Sequence, residues 1–433
     1  MSSILEQQLT ALKLLKTEKG IIAGKFKDLL KDSDEYLQQL KKMKDISAKI
    51  KLLESQIKSI ASEDPTRTAT QKQQLLTPFF DLTSEADFDG EISTQLTPLH
   101  EVNDWQDFVS NNPSSLPSHN SAWQHIIQLS FQHNSLLLSA RDAHGQLLAG
   151  IPITILTSTL FGRFGVSVPY LNYGGVVSRF PNLHERLVRE LADIRVALKL
   201  KFIEVRSIYP NLEKVVSLKK LGMILPLPRS NQELEQQLGS KLRAQYRKAE
   251  SYSPQFAIGK MNLLNDFYSV FSQNMRDLGT PVYHKKWFEN ILSHPGIAAN
   301  IAVVYIHGKA VSAGFLIKSG GIMEIPWAST LASANQFNAN MWMYRQILGF
   351  AIEQGCEFFD FGRSTREAGT FKFKKQWGAQ PCQHYWYLIA DENAPLPELN
   401  PDNPKLKLLI SIWKRLPVWL TRIIGPAIVK GIP

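Results

Sequence analysis

The 433-residue chain has little cysteine and no long apolar run. Its two cysteines, Cys356 and Cys382, are too few for a disulfide framework and favour a reducing, cytoplasmic compartment. No run of about 20 apolar residues is free of charge, so we expect no membrane-spanning helix. The start, MSSILEQQLTALKLLKTEKG, lacks an uninterrupted apolar core and a small-residue cleavage site, so we expect no secretory signal. An apolar content of 44% is that of a folded globular protein.

Short motifs of several enzyme classes are also absent from the sequence. There is no G-x-S-x-G elbow, no H-E-x-x-H, no C-x-x-C and no G-x-x-x-x-G-K-[ST]. The ten histidines show no metal-ligand spacing, so we predict no metal site. These absences argue against elbow-type serine hydrolases, zinc proteases, thioredoxin-like oxidoreductases and P-loop nucleotidases.

The net charge of +10 is spread unevenly along the chain. Residues 1–62 carry 12 lysines against 8 acidic residues, and residues 400–433 carry 6 basic residues against one aspartate. Subtracting these excesses of +4 and +5 leaves about +1 for the residues between them. The middle of the chain is therefore not a general binder of polyanions, and the two ends need their own explanation.

Residues 1–62 form a proline-free arm that is rich in Leu, Lys, Gln and Glu. Its later apolar residues recur at spacings of three and four, typical of a coiled-coil seam. They are Leu40, Met43, Ile46, Ile50, Leu53, Ile57 and Ile60. Because Gly20 and Gly24 each weaken a helix by about 1 kcal/mol, we expect two helices or one with a weak point. The arm either self-associates or binds a partner helix, or it folds into a hairpin or packs on the rest of the chain. We predict a linker at 63–94.

From about residue 77 the sequence alternates between strand-like and helix-like segments, which is typical of α/β proteins. Two pairs of segments match in kind. GQLLAG (Gly145–Gly150) matches GKAVSAG (Gly308–Gly314), and KFIEVRS (Lys201–Ser207) matches CEFFDFGRS (Cys356–Ser364). Similar segments at similar separations predict an internal duplication, although helix-then-strand order alone is common in this class.

The strand Phe359–Phe361 is followed by a dense group of cations. Gly362 permits a tight exit, which places Arg363 and Ser364 at the carboxyl end of a strand, where α/β sheets commonly bind ligands. Five cations fall within 13 residues, namely Arg363, Arg366, Lys372, Lys374 and Lys375. A positioned cation stabilises the negative charge that grows on a carbonyl oxygen during acyl transfer. The alternative is a solvated basic helix face.

KLRAQYRKAE (Lys241–Glu250) reads as a basic helix. Arg243 and Arg247 are four residues apart and share a face, so they can grip a phosphate or a carboxylate. Tyr246 can stack or donate a hydrogen bond beside them. The alternative is an exposed helix of alternating charge.

PYLNYGGVV (Pro169–Val177) combines glycines with polar side chains. Its two adjacent glycines let the backbone approach a ligand closely or adopt positive φ. Asn172 and Tyr173 offer an amide and a phenol to an acceptor such as a sugar or a peptide. The alternative is a strand with a bulge.

These segments, together with FDFGRSTREAGTFKFKKQWGAQP (Phe359–Pro381), resemble the FemAB-like family over about residues 95–390. That family has a tandem pair of acyltransferase domains of the GCN5-related (GNAT) type. The resemblance implies an α/β (α+β) fold with GNAT-like domains at 95–230 and 231–392. To these we add the N-terminal helical coiled-coil arm and a C-terminal amphipathic tail at 393–433.

More narrowly, the chain resembles a branch of that family found with exopolysaccharide and exosortase gene clusters in Gram-negative bacteria. Members of the branch also end in a tail like WKRLPVWLTRIIGP (Trp413–Pro426). Classical members of the family transfer an amino acid from aminoacyl-tRNA to a cell-wall precursor peptide. The resemblance therefore implies an acyl- or aminoacyltransferase acting on an amine or hydroxyl of an envelope or exopolysaccharide precursor.

The resemblance also assigns a role to one residue, Lys374, and the chemistry of the segments described above supplies the other candidates. The family's Phe-Lys motif before an aromatic-Gly pair falls on Lys374, ahead of Trp377-Gly378, so Lys374 is expected to contact the donor's acyl carbonyl or phosphate. Asp360 is expected to orient Arg363 or to act as a general base. The predicted substrate contacts are Asn172, Tyr173, Arg243, Tyr246, Arg247, Arg363, Ser364, Lys375 and Trp377.

The donor is expected to be a co-substrate, either aminoacyl-tRNA or an acyl thioester, with no bound cofactor. GNAT enzymes that use acetyl-CoA usually carry Q/R-x-x-G-x-G/A before a helix, where backbone N–H groups hold the pyrophosphate. The nearest segment, Arg366–Phe371, ends in phenylalanine. This departure disfavours ordinary acetyl-CoA chemistry and leaves other thioesters open.

The tail alternates tryptophan, leucine and isoleucine with Lys414, Arg415 and Arg422, and Pro417 interrupts the run. Such a pattern suits an amphipathic helix lying in the membrane interface, which would place a cytoplasmic enzyme peripherally on the inner membrane. The alternative is a tail helix that covers an apolar groove of the protein.

Two rival hypotheses for the whole chain remain. A non-catalytic scaffold would organise a polysaccharide assembly at the membrane through its arm and tail. For a transferase, Lys374→Ala abolishes product; for a scaffold that change is silent, whereas loss of residues 1–62 is damaging. A third reading, tRNA binding without chemistry, predicts an affinity that falls steeply with salt.

Overall fold

The computed structural model describes residues 33–62, 86–159, 161–209, 220–391 and 404–432, with nine positions between 12 and 23. Side chains of the arm are described up to residue 50 and at Leu53, and those of the tail from residue 408. The chain divides into two compact units, Met1–Gln74 and Leu75–Pro433.

The first unit is helical wherever it is described between residues 12 and 23 and again over Asp34–Ser62 (α1). Ile22 packs against Ile46 and Ile50, so the two helical stretches lie against each other. Part of the apolar stripe of the arm is therefore buried by the arm's own residues. This favours the alternative in which the arm folds into a hairpin. Gly20 and Gly24, which carried the expected break, lie outside the described residues, as do residues 63–85 of the predicted linker.

The second unit holds the remaining helices and all the described strands. The helices are α2 Trp105–Asn111, α3 Ala122–Phe131, α4 Pro181–Ala197, α5 Asn231–Gln237, α6 Ser240–Glu250, α7 Leu264–Leu278, α8 Lys285–Ser293, α9 Ala339–Glu353, α10 Gly369–Gln376, α11 Pro404–Trp413 and α12 Val418–Lys430.

The strands form two seven-stranded sheets. They are β1 Ile92–Pro98, β2 Asn134–Asp142, β3 Leu147–Ser158, β4 Gly162–Val166, β5 Val177–Ser178, β6 Phe202–Ser207, β7 Lys220–Pro226, β8 Gln255–Gly259, β9 Ala298–Ile306, β10 Lys309–Ser319, β11 Ile322–Thr330, β12 Phe358–Thr365, β13 Gln380–Gln383 and β14 Tyr385–Ala390. β1 begins at Ile92, three residues before the predicted start of the first domain at residue 95.

The two sheets repeat one order of strands. The first sheet runs β1-β2-β3-β4-β6-β14, with β5 paired to β3, and the second runs β13-β7-β12-β11-β10-β9-β8. In both, antiparallel hairpins lead to one parallel pair, which is β4 with β6 in the first sheet and β11 with β12 in the second. The matching segments of the sequence thus occupy matching strands, as the predicted duplication requires.

The sheets exchange strands across the predicted domain boundary at 230/231. β7 lies before the boundary but pairs with β12 and β13 in the second sheet. β14 lies near the end of the second half but pairs with β6 in the first sheet. The halves also share one apolar cluster, in which Phe131 packs within 5.0 Å of Trp287, centroid to centroid. Each sheet is therefore completed by a strand from the other half of the chain.

The predicted tail helix is present as two helices, α11 and α12. Pro417 is the residue before α12, where its fixed φ and missing N–H suit a helix start. Both helices pack on the second unit, with Val429 in its main apolar cluster. One side of the tail therefore covers apolar residues of the protein, as the second alternative for the tail predicts. None of the described helices combines the length and apolarity needed to cross a membrane.

Candidate active site

The candidate site lies where the parallel strands β11 and β12 separate. They are paired only from Ile322–Glu324 to Phe358–Asp360, whereas β11 continues to Thr330 and β12 to Thr365. Beyond Glu324, the edge of β11 that faces β12 therefore has no strand partner. An opening of this kind exposes backbone donors and acceptors at the carboxyl ends of strands, a common location for ligands in α/β sheets.

A bulge in β12 maintains this separation. The register of β12 against β7 shifts between Asp360 and Arg363, and Gly362 adopts φ +74°. The Gly362 N–H donates to Oδ1 of Asp360 at 2.7 Å. The Lys374 ammonium donates to the carbonyl oxygens of Gly362 and Arg363 at 3.0 and 2.8 Å. Side chains thus satisfy the backbone groups that the bulge removes from the ladder.

Asp360 is fully buried in the middle of this arrangement. Its second carboxylate oxygen accepts a hydrogen bond from the Tyr173 hydroxyl at 2.9 Å. Burial raises the pKa of Asp360, and the Gly362 N–H, Tyr173 and Lys374 oppose that shift. Asp360 therefore holds the loop of the first half against the bulge of the second.

Glu324 is a second carboxyl group at the opening, and the sequence analysis missed it. Its Oε1 accepts a hydrogen bond from the Asn172 side-chain amide at 2.5 Å. Burial and the charge of Asp360 raise the pKa of Glu324 to about 8. The available signal was its position as the one acidic residue of an otherwise apolar strand, IMEIPWAST. A carboxyl group with a pKa near neutrality can take up or give a proton at physiological pH.

Lys374 is only 8% exposed, unlike its neighbours Lys372 and Lys375, which are exposed. Burial and the nearby charge of Arg363 lower the pKa of Lys374 to about 8, while Asp360 and Glu324 oppose the shift. It is therefore not part of a solvated helix face. Its ammonium points into the bulge, with two carbonyl oxygens as partners.

Two arginines, one from each half, flank a tryptophan at the same opening. The guanidinium carbons of Arg206 and Arg363 lie 4.9 and 5.3 Å from the ring centroid of Trp386, which is on β14. Arg206 forms an ion pair with Glu204 at 2.7 Å and donates to the carbonyl oxygen of Leu171 at 3.2 Å. These two residues occupy equivalent positions in the matched segments that ended in Arg206-Ser207 and Arg363-Ser364.

Arg363, in contrast to Arg206, makes no hydrogen bond and no ion pair through its side chain with any residue in the described part of the chain. Burial and the charge of Arg206 lower its pKa to about 10. A guanidinium that is largely withdrawn from water without a carboxylate partner is unfavourable by itself. This group is therefore available to an anionic or carbonyl oxygen of a ligand.

The loop between β4 and β5 brings Asn172 and Tyr173 to the site. It is a loop rather than the bulged strand that was the structural alternative for this segment. Gly174 N–H donates to the Arg206 carbonyl oxygen at 2.7 Å, and Gly175 has φ +113° with its Cβ position 3.4 Å from Ser207. The close approach and the positive φ explain why glycines are found there.

His384 and Ser364 are buried polar side chains beside this cluster. Among the residues that the structure describes, both ring nitrogens of His384 and the Ser364 hydroxyl have no hydrogen-bond partner. Burial and the charges of Arg363 and Arg206 lower the pKa of His384 to about 3, so its imidazole is neutral. The Tyr173 ring contacts it edge-on, with centroids 5.5 Å apart.

The structure brings five predicted residues together, and they are Asn172, Tyr173, Asp360, Arg363 and Lys374. Ser364 follows on the same strand. Trp377 is buried and packs near Tyr344, with centroids 6.2 Å apart, and its ring N–H has no partner. Lys375 points to solvent.

The remaining predicted residues lie on α6, where they surround Glu235 of α5. Arg243 donates to the carbonyl oxygens of Glu235 and Leu238 at 3.0 and 2.6 Å. Tyr246 donates to the Glu235 carboxylate, and Arg247 forms an ion pair with it at 2.6 Å. Glu235 also contacts Arg345, and the group lines a separate open cavity of about 520 Å³. The cations there are already paired within the chain.

In the described residues no group of three or more His, Cys, Asp or Glu side chains is arranged to hold a metal ion. The site is built from carboxyl, amide, phenol, ammonium and guanidinium groups. Such a set can move a proton and stabilise an oxyanion.

Comparison with known proteins finds a match to one family model within the second half of the chain. Residues 238–375 match the family model for an acetyltransferase (GNAT) domain. This range contains β11, β12 and α10, and therefore Glu324, Asp360, Arg363 and Lys374. Comparison with curated proteins gave no match.

Among solved structures, FemX is similar over 75% of this chain and 100% of its own, with 14% identity and a TM-score of 0.53. L-PGS from Bacillus licheniformis aligns over 78% and 99%, with 13% identity and a TM-score of 0.45. A tandem GNAT protein from the clavulanic acid biosynthesis pathway aligns over 70% and 100%, with 8% identity and a TM-score of 0.43. The predicted fold class, a mixed α/β protein with two GNAT-like sheets, is confirmed.

Proposed function

We propose that the chain is an acyltransferase that joins an activated acyl or aminoacyl group to an amine or hydroxyl. One observation carries this proposal. Two carboxyl groups, an ammonium and a guanidinium that has no ion pair among the described residues converge where β11 and β12 separate, within the segment that matches a GNAT acetyltransferase domain. Transfer between two bound reactants needs mainly positioning, proton transfer and charge stabilisation, and the groups present suit all three.

In the proposed reaction Glu324 is the general base. It accepts the proton of the acceptor amine or hydroxyl as that group attacks the acyl carbonyl, and the proton leaves with the departing alcohol or thiol. Asn172 holds Oε1 of Glu324 in place. Asp360 is a positioning residue and does not contact the substrate in this proposal. Its two carboxylate oxygens already accept hydrogen bonds from the Tyr173 hydroxyl and the Gly362 N–H.

Arg363 is the proposed contact for negative charge on the substrate. Its guanidinium stacks on Trp386 but makes no hydrogen bond or ion pair with the described residues, and it can stabilise the carbonyl oxygen or hold a phosphate or carboxylate of the donor. The Lys374 ammonium adds positive charge to the site while it donates hydrogen bonds to the carbonyl oxygens of residues 362 and 363 in the bulge. Ser364, Lys375 and Trp377 border this region and remain candidate contacts.

We propose aminoacyl-tRNA or an acyl thioester as the donor, and a cell-envelope or exopolysaccharide precursor as the acceptor. The FemAB-like resemblance of the segment around Lys374 favours these classes. FemX, at 14% identity, is similar to this chain in fold. Arg243 and Arg247 on α6 can bind the donor only if the donor competes with Glu235 for their guanidinium groups.

The test is a transfer assay with the full chain. Radiolabelled aminoacyl-tRNA or acyl-CoA is offered with a lipid-linked precursor fraction, and labelled product is measured for the wild type, Glu324→Gln and the exposed control Glu250→Gln. We expect one donor to label the precursor, with a loss of about 10²-fold or more in Glu324→Gln and none in the control. Full activity in Glu324→Gln, or no transfer from either donor class, would overturn the proposal and favour the scaffold hypothesis.

A further inference from the structure

The two C-terminal helices are fixed on the body by one side. The Arg276 guanidinium of α7 donates to the carbonyl oxygen of Leu416 at 2.9 Å, and Arg422 donates to the Ser272 hydroxyl at 2.8 Å. Gly425 lies so close to residue 282 that a Cβ on it would meet the Val282 nitrogen at 2.9 Å. These contacts define which side of each helix faces the protein.

The tail also exposes large apolar side chains to solvent. The exposed fractions are 62% for Leu408, 61% for Leu409, 48% for Ile412, 63% for Trp419, 65% for Ile423 and 41% for Ile428. Single exposed apolar side chains are ordinary on a protein surface. Six of them on two consecutive helices indicate a binding surface. We call these six residues the tail surface.

The charge of this segment has one sign. Residues 404–432 contain six lysines and arginines and no acidic residue. Lys414 and Arg415 lie exposed between α11 and α12, and neither makes an ion pair with any residue that the structure describes. The nearby acid of α7, Asp277, is paired with Arg276 at 2.6 Å. An anionic partner is therefore complementary to the surface.

We propose that the tail surface docks on an anionic lipid bilayer. Trp419, Ile423 and the leucines of α11 enter the interface between headgroups and acyl chains, and Lys414 and Arg415 bind lipid phosphates. Tryptophan suits this location because its ring is largely apolar while its N–H remains hydrogen-bonded to the headgroup region.

A hydrogen bond connects α12, which carries part of the tail surface, to a loop of the candidate active site. The carbonyl oxygen of Lys430, at the end of α12, accepts a hydrogen bond from the Tyr170 hydroxyl at 3.0 Å. Tyr170 belongs to the loop that carries Asn172 and Tyr173. Docking at the tail surface therefore fixes the orientation of that loop relative to the bilayer.

The test is co-sedimentation of the full chain with vesicles, which needs no substrate and is independent of the transfer reaction. Phosphatidylcholine vesicles are compared with vesicles containing about 30% phosphatidylglycerol, at low and high salt. Trp419→Ser/Ile423→Ser and Lys414→Gln/Arg415→Gln are compared with Val196→Ser, whose parent side chain is equally exposed (63%) but lies on α4. Thermal melting monitored by circular dichroism verifies that each variant is folded.

We expect the wild type to bind only the anionic vesicles, with affinity falling as salt rises. The apolar double variant should lose at least about tenfold in affinity, and the charge variant about fivefold for each cation removed. Val196→Ser should bind like the wild type. The proposal is overturned if neither vesicle binds the wild type, as a protein-docking surface would behave, or if Val196→Ser weakens binding as much as the tail variants.

Discussion

The side-chain amide of Asn172 lies 2.5 Å from Oε1 of Glu324, and this contact joins a loop of the first half to a strand of the second. The neighbouring residue Tyr173 makes a parallel contact with Asp360 at 2.9 Å. Two consecutive residues of one half thus hold the two buried carboxyl groups of the other. The candidate site depends on both copies of the duplicated fold, although Arg363 and Lys374 come from the second.

Glu324 should make stability depend on pH. Because its pKa is raised to about 8, the folded state keeps a proton that the unfolded state releases above about pH 4.5. The folded state binds more protons in that window, so the free energy of unfolding should fall as pH rises from about 4.5 to 8. Glu324→Gln should remove roughly 2–4 kcal/mol of this decline. Urea unfolding at several pH values measures it.

The exposed Glu250→Gln is the control for that titration, and its unfolding free energy should follow the wild-type curve. A wild-type stability that stays flat or increases over the same pH interval would contradict the raised pKa. So would an identical slope in the wild type and Glu324→Gln.

Lys374→Ala should destabilise the fold, whereas Lys375→Ala should not. The Lys374 ammonium is the hydrogen-bond partner of two buried carbonyl oxygens, and removing it leaves both unsatisfied at a cost of about 2–4 kcal/mol. Lys375 is exposed, so its loss should change stability by less than about 0.5 kcal/mol. Equal unfolding midpoints for the two variants in urea would refute this assignment.

This difference changes how a loss of product in Lys374→Ala should be interpreted. A damaged bulge would displace Arg363 and Asp360 as well, so lost activity would report the fold and the chemistry together. Arg363→Gln separates them more cleanly, because the Arg363 side chain donates to no residue that the structure describes.

The sequence predicted the strands, the helices and the group of cations after β12 well, because periodicity and glycine placement are local signals. The resemblance assigned Lys374, whereas Asp360 was inferred from its place in the strand that precedes the same segment. The sequence did not predict Glu324, since one acidic residue in a strand is a weak signal that no periodicity or motif supports. The exchange of β7 and β14 between the sheets was not predicted from the sequence either, because strand pairing is decided by packing between distant segments.

The arginines of α6 illustrate the same limit. Their spacing predicted a shared face free to bind phosphate, but the partner that occupies them, Glu235, is on the preceding helix. We expect Arg243→Gln to lower stability by about 1–2 kcal/mol, because two carbonyl oxygens near the end of α5 lose their donor. Arg247→Gln breaks one ion pair of a largely exposed side chain and should change stability less than Arg243→Gln does. Chemical denaturation of both variants compares them, and a larger effect at Arg247 would contradict the contacts described.

Tyr170 is the hydrogen-bond link between α12 and the site loop. It adopts φ +69°, and Val168 of the same loop adopts φ +53°, so the loop needs tertiary contacts to hold it. Its hydroxyl contacts His133 at 2.9 Å and the carbonyl oxygen of Lys430 at 3.0 Å. Tyr170→Phe should therefore lower stability by about 1 kcal/mol and speed amide hydrogen exchange in α12 and in the loop together.

Tyr305→Phe is the matched control, because its hydroxyl also donates one side-chain hydrogen bond, to Asp266 at 2.5 Å, but on strand β9 away from the tail. Hydrogen exchange followed by mass spectrometry should show faster exchange over residues 418–432 in Tyr170→Phe only. Equal exchange of this segment in both variants would mean that the tail is held by its packing on α7 alone. In that case membrane docking would orient the body without acting on the loop that carries Asn172 and Tyr173.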